Sequence, residues 1–312
     1  MRTILFLAFS SLFLTSCEDF FSTTVKADPP EYDPQLVFHL LLTDQDSSVR
    51  LVLSRSYGLL EPVRDEKKWY ISGATVEWWQ GGQKTLTLMP LPGDSGFVYV
   101  GKLPQRLKSG EQYEVRVQHP DYPSARAVQV MPAQFDSDSA RVRKLGSPDQ
   151  FYSQYQLDLN LRDQPGVENF YEINVFSERY DVVGYFDPST GTYKIDTVGT
   201  SQYAVYFDEF LDRNTVTGSG NTALISDQLF DGQEYKFQVK FSPTYYSSAD
   251  TVPRFTVQVR NITKEYYQWS RTYYQNYENE YEIFSEPVLV LNNVVDGLGV
   301  FGLGTEKVYR MK

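Results

Sequence analysis

Several spacings in this 312-residue chain match patterns that carry chemistry, and each lacks the partners that chemistry needs. Gly297-Leu298-Gly299-Val300-Phe301-Gly302 has the letters of a phosphate-cradling G-x-G-x-x-G loop. Such a loop works between a strand and a helix, with an acidic residue about 20 positions on. Neither follows within the ten residues after Gly302, so the glycines are expected to allow close backbone packing or a bulge in a terminal strand. Gly93-Asp94-Ser95-Gly96 carries the letters around a nucleophilic serine, which requires a histidine base. The two histidines are His39, inside an apolar strand pattern, and His119, before Pro120. A hairpin turn is the expected structure there. Two histidines and one cysteine supply too few N and S ligands for zinc. Asp44, Asp46 and Ser48 open a calcium-loop spacing, yet Val49 stands where the glycine belongs and Arg55 where the closing acid belongs. The expectation is a turn. Among 40 acidic residues a carboxylate pair for glycoside hydrolysis stays open, with nothing to mark which pair. No catalytic residue, metal or cofactor is expected from these patterns.

Cys17, the one cysteine, has a different chemistry open to it. Arg2 precedes the apolar run Ile4–Leu14, and Leu14-Thr15-Ser16 leads into the cysteine. A charged start, an apolar centre and small residues at the cut make a secretory leader over residues 1–16. The run falls short of the roughly 20 apolar residues that span a bilayer. Leu-Thr-Ser-Cys resembles the bacterial lipobox, in which the thiol is acylated and the cysteine becomes the new N-terminus. A single thiol used this way leaves none for disulfides, so the body must rest on a hydrophobic core. Residues 17–33, with Pro29, Pro30 and no apolar period, are expected to be a lipidated tether. Glu18 and Asp19 resemble the signal that sends lipoproteins of the phylum Bacteroidota to the outer face of the outer membrane. The net charge of −11 argues against nucleic acid and against adsorption to anionic headgroups.

The body must be positioned by sheet. Apolar residues alternate at Leu51 and Leu53, Val76 and Trp78, Leu86 and Leu88, and Tyr113, Val115 and Val117, with Val128 and Val130 closing the set. Gln35–Leu42 and Phe97–Val100 are apolar runs, and Gly81-Gly82, Pro92-Gly93-Asp94 and Ser109-Gly110 mark turns. Seven short strands predict an immunoglobulin-like β-sandwich over 34–132. The polar stretch Gln134–Arg143 reads as a boundary. Residues 133–312 predict a second β-rich domain: Tyr155 to Leu161 alternate, 182–198 form a long hairpin turning at Asp187–Gly191, and Tyr235 to Phe241 and Phe255 to Val259 alternate. Pro287–Val295 reads as a further strand, before a Gly-rich closing strand or turn.

One amphipathic helix is predicted near 263–280. Ile262, Tyr266, Trp269, Tyr273 and Tyr277 form one stripe at helical spacing and are expected to be its buried face, with Thr263 as N-cap. Tyr267, Tyr274 and Tyr281 recur every seven residues at the border of that face, where a partner or ligand can touch. The chain holds 24 Tyr, 20 Phe and 4 Trp. Such rings fill sheet positions, and they also stack on sugars or partner proteins. Trp78 and Trp79 are strand neighbours and point to opposite faces, so one of them is available for contact.

A set of short motifs recurs in a characteristic order. Gly73-Ala74-Thr75-Val76, Gly96-Phe97-Val98-Tyr99, Ser109-Gly110-Glu111-Gln112-Tyr113 and Val130-Met131-Pro132 come first. Asn169-Phe170-Tyr171, Phe230-Asp231-Gly232, Ile262-Thr263-Lys264-Glu265-Tyr266-Tyr267, Phe284-Ser285-Glu286-Pro287 and the closing Gly297–Gly302 follow. Together they resemble the Bacteroidota lipoproteins of domain-of-unknown-function family 4249. The resemblance covers nearly all of the chain after the leader and brings no catalytic residues with it. Members are commonly encoded beside TonB-dependent outer-membrane receptors. The resemblance therefore implies a non-enzymatic surface lipoprotein, lipid-anchored on the outer membrane and accessory to such a receptor, capturing a ligand or stabilising the complex. A carbohydrate-active enzyme with unmarked carboxylates and a structural envelope lipoprotein are the alternatives.

Overall fold

The computed structural model describes residues 32–311 apart from 59–60, 62–68, 94, 147–152, 211–215, 218–219, 244–253, 280–284 and 287. Contacts divide the chain into two compact units, Met1–Asp33 with Tyr57–Arg64, and Pro34–Ser56 with Asp65–Lys312. All elements named below lie in the second. The protein is mainly β. In chain order the strands are β1 (Leu36–Thr43), β2 (Ser48–Arg55), β3 (Thr75–Gln80), β4 (Gln83–Pro90), β5 (Val98–Lys102), β6 (Gln112–His119), β7 (Tyr122–Val130), β8 (Asp136–Gly146) and β9 (Gln154–Arg162). They continue as β10 (Phe170–Asp187), β11 (Thr192–Ala204), β12 (Tyr206–Phe210), β13 (Val216–Thr217), β14 (Thr222–Ser226), β15 (Glu234–Ser242) and β16 (Arg254–Ile262). Helix α1 (Lys264–Asn279) and strand β17 (Leu298–Met311) complete the chain. Among the described residues no helix is long and apolar enough to cross a membrane.

The strands form a large sheet ordered β13-β14-β10-β16-β17-β1-β2-β5-β4-β3-β6-β7, with β11 on β10, and a smaller sheet ordered β12-β15-β9-β8. Period-two burial builds the cores. In β2, Val49, Leu51 and Leu53 are buried and Arg50 is exposed. One hydrophobic cluster draws on residues from Leu36 to Met131 and also on Val294, Phe301 and Leu303. A second draws on Phe135 to Val259, between the smaller sheet and the inner residues of β10, β14 and β16. Strand β17 serves both. Phe301 and Leu303 enter the first cluster, and Tyr309 and Met311 pack on the second. It pairs parallel with β1 and antiparallel with β16, so the large sheet combines strands from before and after Pro132.

Several expectations need correction. In β7 the inward residues are Ala125, Ala127 and Gln129, whereas Val128 and Val130 are 39% and 52% exposed. Apolarity favoured the valines, but the register with β6 sets Ala127 beside Val115 and Ala125 beside Val117, where small side chains fit the tight interior. The polar stretch read as a boundary is β8, an edge strand paired with β9. Charge on an edge strand discourages further pairing, which explains its loop-like composition. Residues 288–295 form no strand, and Val295 makes only an isolated bridge to Arg126. Here side-chain amides replace a ladder: Asn293 Oδ1 accepts from Phe301 N at 2.9 Å and its Nδ2 donates to Phe301 O at 2.7 Å. As expected, a turn begins at Asp44 between β1 and β2, with Asp46 Oδ2 accepting from Thr43 N at 2.7 Å.

The glycine series near the C-terminus opens β17. Gly299 has φ 113°, and a Cβ there would strike the Phe38 carbonyl; a Cβ at Gly302 would strike the Tyr266 ring. These glycines let β1 and α1 approach the strand backbone, a packing use rather than a phosphate-binding one.

Candidate functional site

Two motifs far apart in sequence meet at one place. Asn169-Phe170-Tyr171 leads into and begins β10, and Phe230-Asp231-Gly232 forms the turn before β15. Asp163, just past β9, joins them. Its Oδ1 accepts from Tyr171 Oη at 2.8 Å and from Asn169 Nδ2 at 3.1 Å, and its Oδ2 accepts from Gly232 N at 2.8 Å. Asp227 lies in a 3-10 turn after β14, and its Oδ2 accepts from Asn169 N at 2.6 Å. Asp231 Oδ1 accepts from Gly166 N at 2.7 Å. Asn169 Oδ1 in turn accepts from Asn261 Nδ2, which also reaches Ala133 O, each at 3.1 Å.

Carboxylate oxygens of Asp163, Asp227 and Asp231 lie within 4.8 Å of one another. Asp227 is only 2% exposed. Burial first, and then the charges of Asp163 and Asp231, push its pKa above the ordinary carboxylate value against the hydrogen bonds from Asn169. Burial, followed by the Asp163 carboxylate, likewise raises the Tyr171 phenol. Three carboxylates are a donor set for a hard cation, but each here already accepts N–H or O–H bonds from the fold. Asp163 and Asp227 are buried and present no acid pair to a cleft of the kind glycoside hydrolysis uses. Their chemistry is to tie three turns together. Asp163 and Asp227 carry no local sequence signal beyond the motifs Asn169-Phe170-Tyr171 and Phe230-Asp231-Gly232 that lie near them.

The helix residues are arranged differently from expectation. Tyr267, 7% exposed, is the buried ring. It packs on Phe170 at 4.7 Å, in a cluster with Leu224 and Ile262. Ser270 is buried beside it, and Tyr274 is part-buried with its hydroxyl 3.3 Å from Thr222 Oγ1. Tyr273 and Tyr277 are exposed, at 45% for Tyr273. Tyr266 of the predicted stripe stays on the packed face, against Gly302; at 100° per residue that face is turned by about 75° from the predicted stripe, toward Tyr267 and Tyr274. Tyr267 and Tyr274 thus belong to the packed face and not to an open border. The reason lies at the junction with β16. Ile262 is the last residue of that strand, paired with Gly304, and starts no helical stripe. Thr263 stands at the N-cap position, its carbonyl accepting from Tyr267 N at 3.0 Å; its own N donates to Leu303 O at 2.9 Å, and its hydroxyl accepts from Leu303 N at 3.4 Å. This clamp sets which of two adjacent tyrosine stripes faces the sheet. Trp269 stacks on Tyr273 at 5.0 Å and lies 5.2 Å from the His39 ring. Tyr281 lies outside the described residues.

Trp78 is fully buried between Tyr113 and Phe301, its Nε1 without an acceptor among the described residues. It cannot touch a ligand in this fold. Trp79 faces the other way: Nε1 donates to Glu77 Oε2 at 3.1 Å, and the Arg116 guanidinium sits 3.6 Å over its ring. That ring face is therefore covered by a cation. Cys17, Glu18 and Asp19 lie outside the described residues.

The motif order is matched by a family model covering residues 22–310, described as Domain of unknown function (DUF4249). The chain belongs to this family. No curated protein matches it. Within this DUF4249 chain the two motifs that meet at Asp163 are joined by hydrogen bonds, and Gly299 and Gly302 of the closing series lie against β1 and α1.

Proposed function

We propose that this DUF4249 protein is a lipoprotein of a Bacteroidota bacterium, held on the outer membrane through acylated Cys17 and facing the cell exterior. It acts without catalysis, as an accessory to a TonB-dependent receptor, by capturing a ligand or stabilising the receptor complex. The observation that carries the reading is the Leu14-Thr15-Ser16-Cys17 sequence behind an apolar run, with Glu18-Asp19 directly after the chain's only cysteine. The acidic composition suits a body held off an anionic surface by its anchor, and the resemblance to lipoproteins encoded beside such receptors supplies the partner. One lipid chain alone binds a membrane weakly, so the anchor needs the several chains of a bacterial lipoprotein.

Metabolic labelling with a tagged fatty acid tests the anchor. Label should enter the wild-type chain and be absent from Cys17→Ser; label that persists in the variant overturns it. Protease added to intact cells should remove the body, and Glu18→Ala with Asp19→Ala should reduce that exposure while lipid labelling continues. Recovery of a TonB-dependent receptor with the tagged wild-type protein from solubilised outer membranes is the expected result for the partnership. Recovery free of any such receptor removes it.

A further inference from the structure

β7 is an edge of the large sheet, and one residue of that edge is already covered. Arg126 N donates to Val295 O at 3.1 Å and Arg126 O accepts from Val295 N at 2.8 Å, so this residue turns its backbone groups away from β6. Register pairs Arg126 with Arg116 and Val128 with Glu114, and brings Val130 opposite Gln112. In an antiparallel pair the hydrogen-bonding direction alternates along the strand. The N–H and C=O of Val128 and Val130 therefore point off the sheet, as those of Arg126 do. Among the described residues no backbone group meets them as Val295 meets Arg126.

Both valines line an open groove of about 390 Å³, whose other walls include Val167, Phe170, Lys264 and Glu265. That size falls within the roughly 300–1,000 Å³ of binding sites. Edge strands are normally blunted by charge, proline or a bulge. Ala127-Val128-Gln129-Val130 carries no charge and no proline, and its register with β6 is regular.

We propose that this edge binds an extended segment of a partner protein, added as a strand beside β7. Alternating donors and acceptors on an edge are complementary to extended backbone and to little else. Exposed Val128, Val130 and Val167 favour apolar side chains at alternate positions of the segment. Lys264 is held by Glu168 at 2.7 Å, which leaves the groove a net negative charge from Glu265 and favours a Lys or Arg at that end. A second copy of this chain, at net charge −11, is electrostatically the poorer occupant. The surface is distinct from the anchor and independent of the receptor assignment.

The test pans a displayed random nine-residue peptide library against the full chain. Enriched sequences should alternate apolar residues and carry a basic one. A synthetic copy should slow hydrogen exchange at the Val128 and Val130 amides. Its affinity should fall about tenfold or more, or 1.4 kcal/mol, in Val128→Pro, which removes an outward N–H and leaves the β6 ladder intact. Val130→Lys, with an outward side chain, should do the same and guards against a folding defect in the proline variant. Three outcomes overturn the proposal: no enrichment, peptides that bind both variants as they bind wild type, or protection of these amides that rises with protein concentration alone and so identifies a second copy as the occupant.

Discussion

Arg260 of β16 donates to Glu172 of β10 at 2.7 Å, and on its other side it holds Glu306 of β17 at 2.8 Å. Register places the three directly abreast on neighbouring strands. Burial works against the guanidinium charge, but the two carboxylates outweigh it and hold its pKa above the ordinary arginine value. Burial and then the Glu172 carboxylate also raise the phenol of Tyr266, a residue of α1.

Arg260→Met is expected to cost about 3–5 kcal/mol, because it leaves two carboxylates without their cation in a largely dry site. Converting Glu172 and Glu306 to Gln in the same chain should recover much of that loss. Urea unfolding of the single and triple variants checks both statements. A loss below about 1 kcal/mol for Arg260→Met would mean that water reaches the row and screens it as it screens surface pairs.

Tyr267→Ala should destabilise the protein by about 3–5 kcal/mol, the usual range for emptying a buried aromatic position. Tyr273→Ala, at a ring 45% exposed and packed on the helix's own Trp269 and Tyr274, should cost less, about 1 kcal/mol. Paired unfolding curves decide the orientation of α1. Equal losses would contradict the packed face described above.

Gly302→Ala should cost about 1–3 kcal/mol by forcing the Tyr266 ring off the strand. The cost belongs to one contact, so it should shrink when Tyr266 is also replaced by Ala. A double-mutant cycle measures this, and strict additivity would show that the two positions do not meet.

Asp227 predicts a pH effect of definite sign. Its folded pKa lies above the ordinary value of 3.8, so between those values the folded state binds more protons than the unfolded state. Stability contributed by this group therefore falls as pH rises from 3.8 through the folded pKa. Asp227→Asn keeps an oxygen to accept from Asn169 and removes the repulsion from Asp163 and Asp231. It should flatten stability against pH over that window and should not destabilise the protein at neutral pH. Unfolding midpoints measured from pH 4 to 7 provide the check. A variant uniformly weaker across the range would show that the carboxylate charge strengthens the turn more than repulsion weakens it.

Much of the β architecture was legible because burial in a half-exposed strand has period two. Val49, Leu51 and Leu53, or Leu157, Leu159 and Leu161, can hide together only as a strand. The long hairpin was legible because Asp187–Gly191 is turn chemistry between two extended runs. The helix followed from a change of period near Thr263, and its existence was easier to read than its orientation. Tyr266-Tyr267 and Tyr273-Tyr274 offer two stripes of equal apolarity, and nothing local chooses between them.

The sequence by itself determined the β class, most strands, one helix and a cysteine with no disulfide partner. Each of these depends on neighbours within a few residues, whose spacing the chain carries directly. Tertiary structure alone decided that β17 would join two cores, that Ala125 and Ala127 rather than Val128 and Val130 would face inward, and that Asp163 and Asp227 would meet Asn169 and Asp231. Those outcomes depend on which strands become neighbours. Strand pairing brings together residues as far apart as Phe38 and Gly299, and hydrophobic periodicity within a segment holds no information about its partner across the sheet.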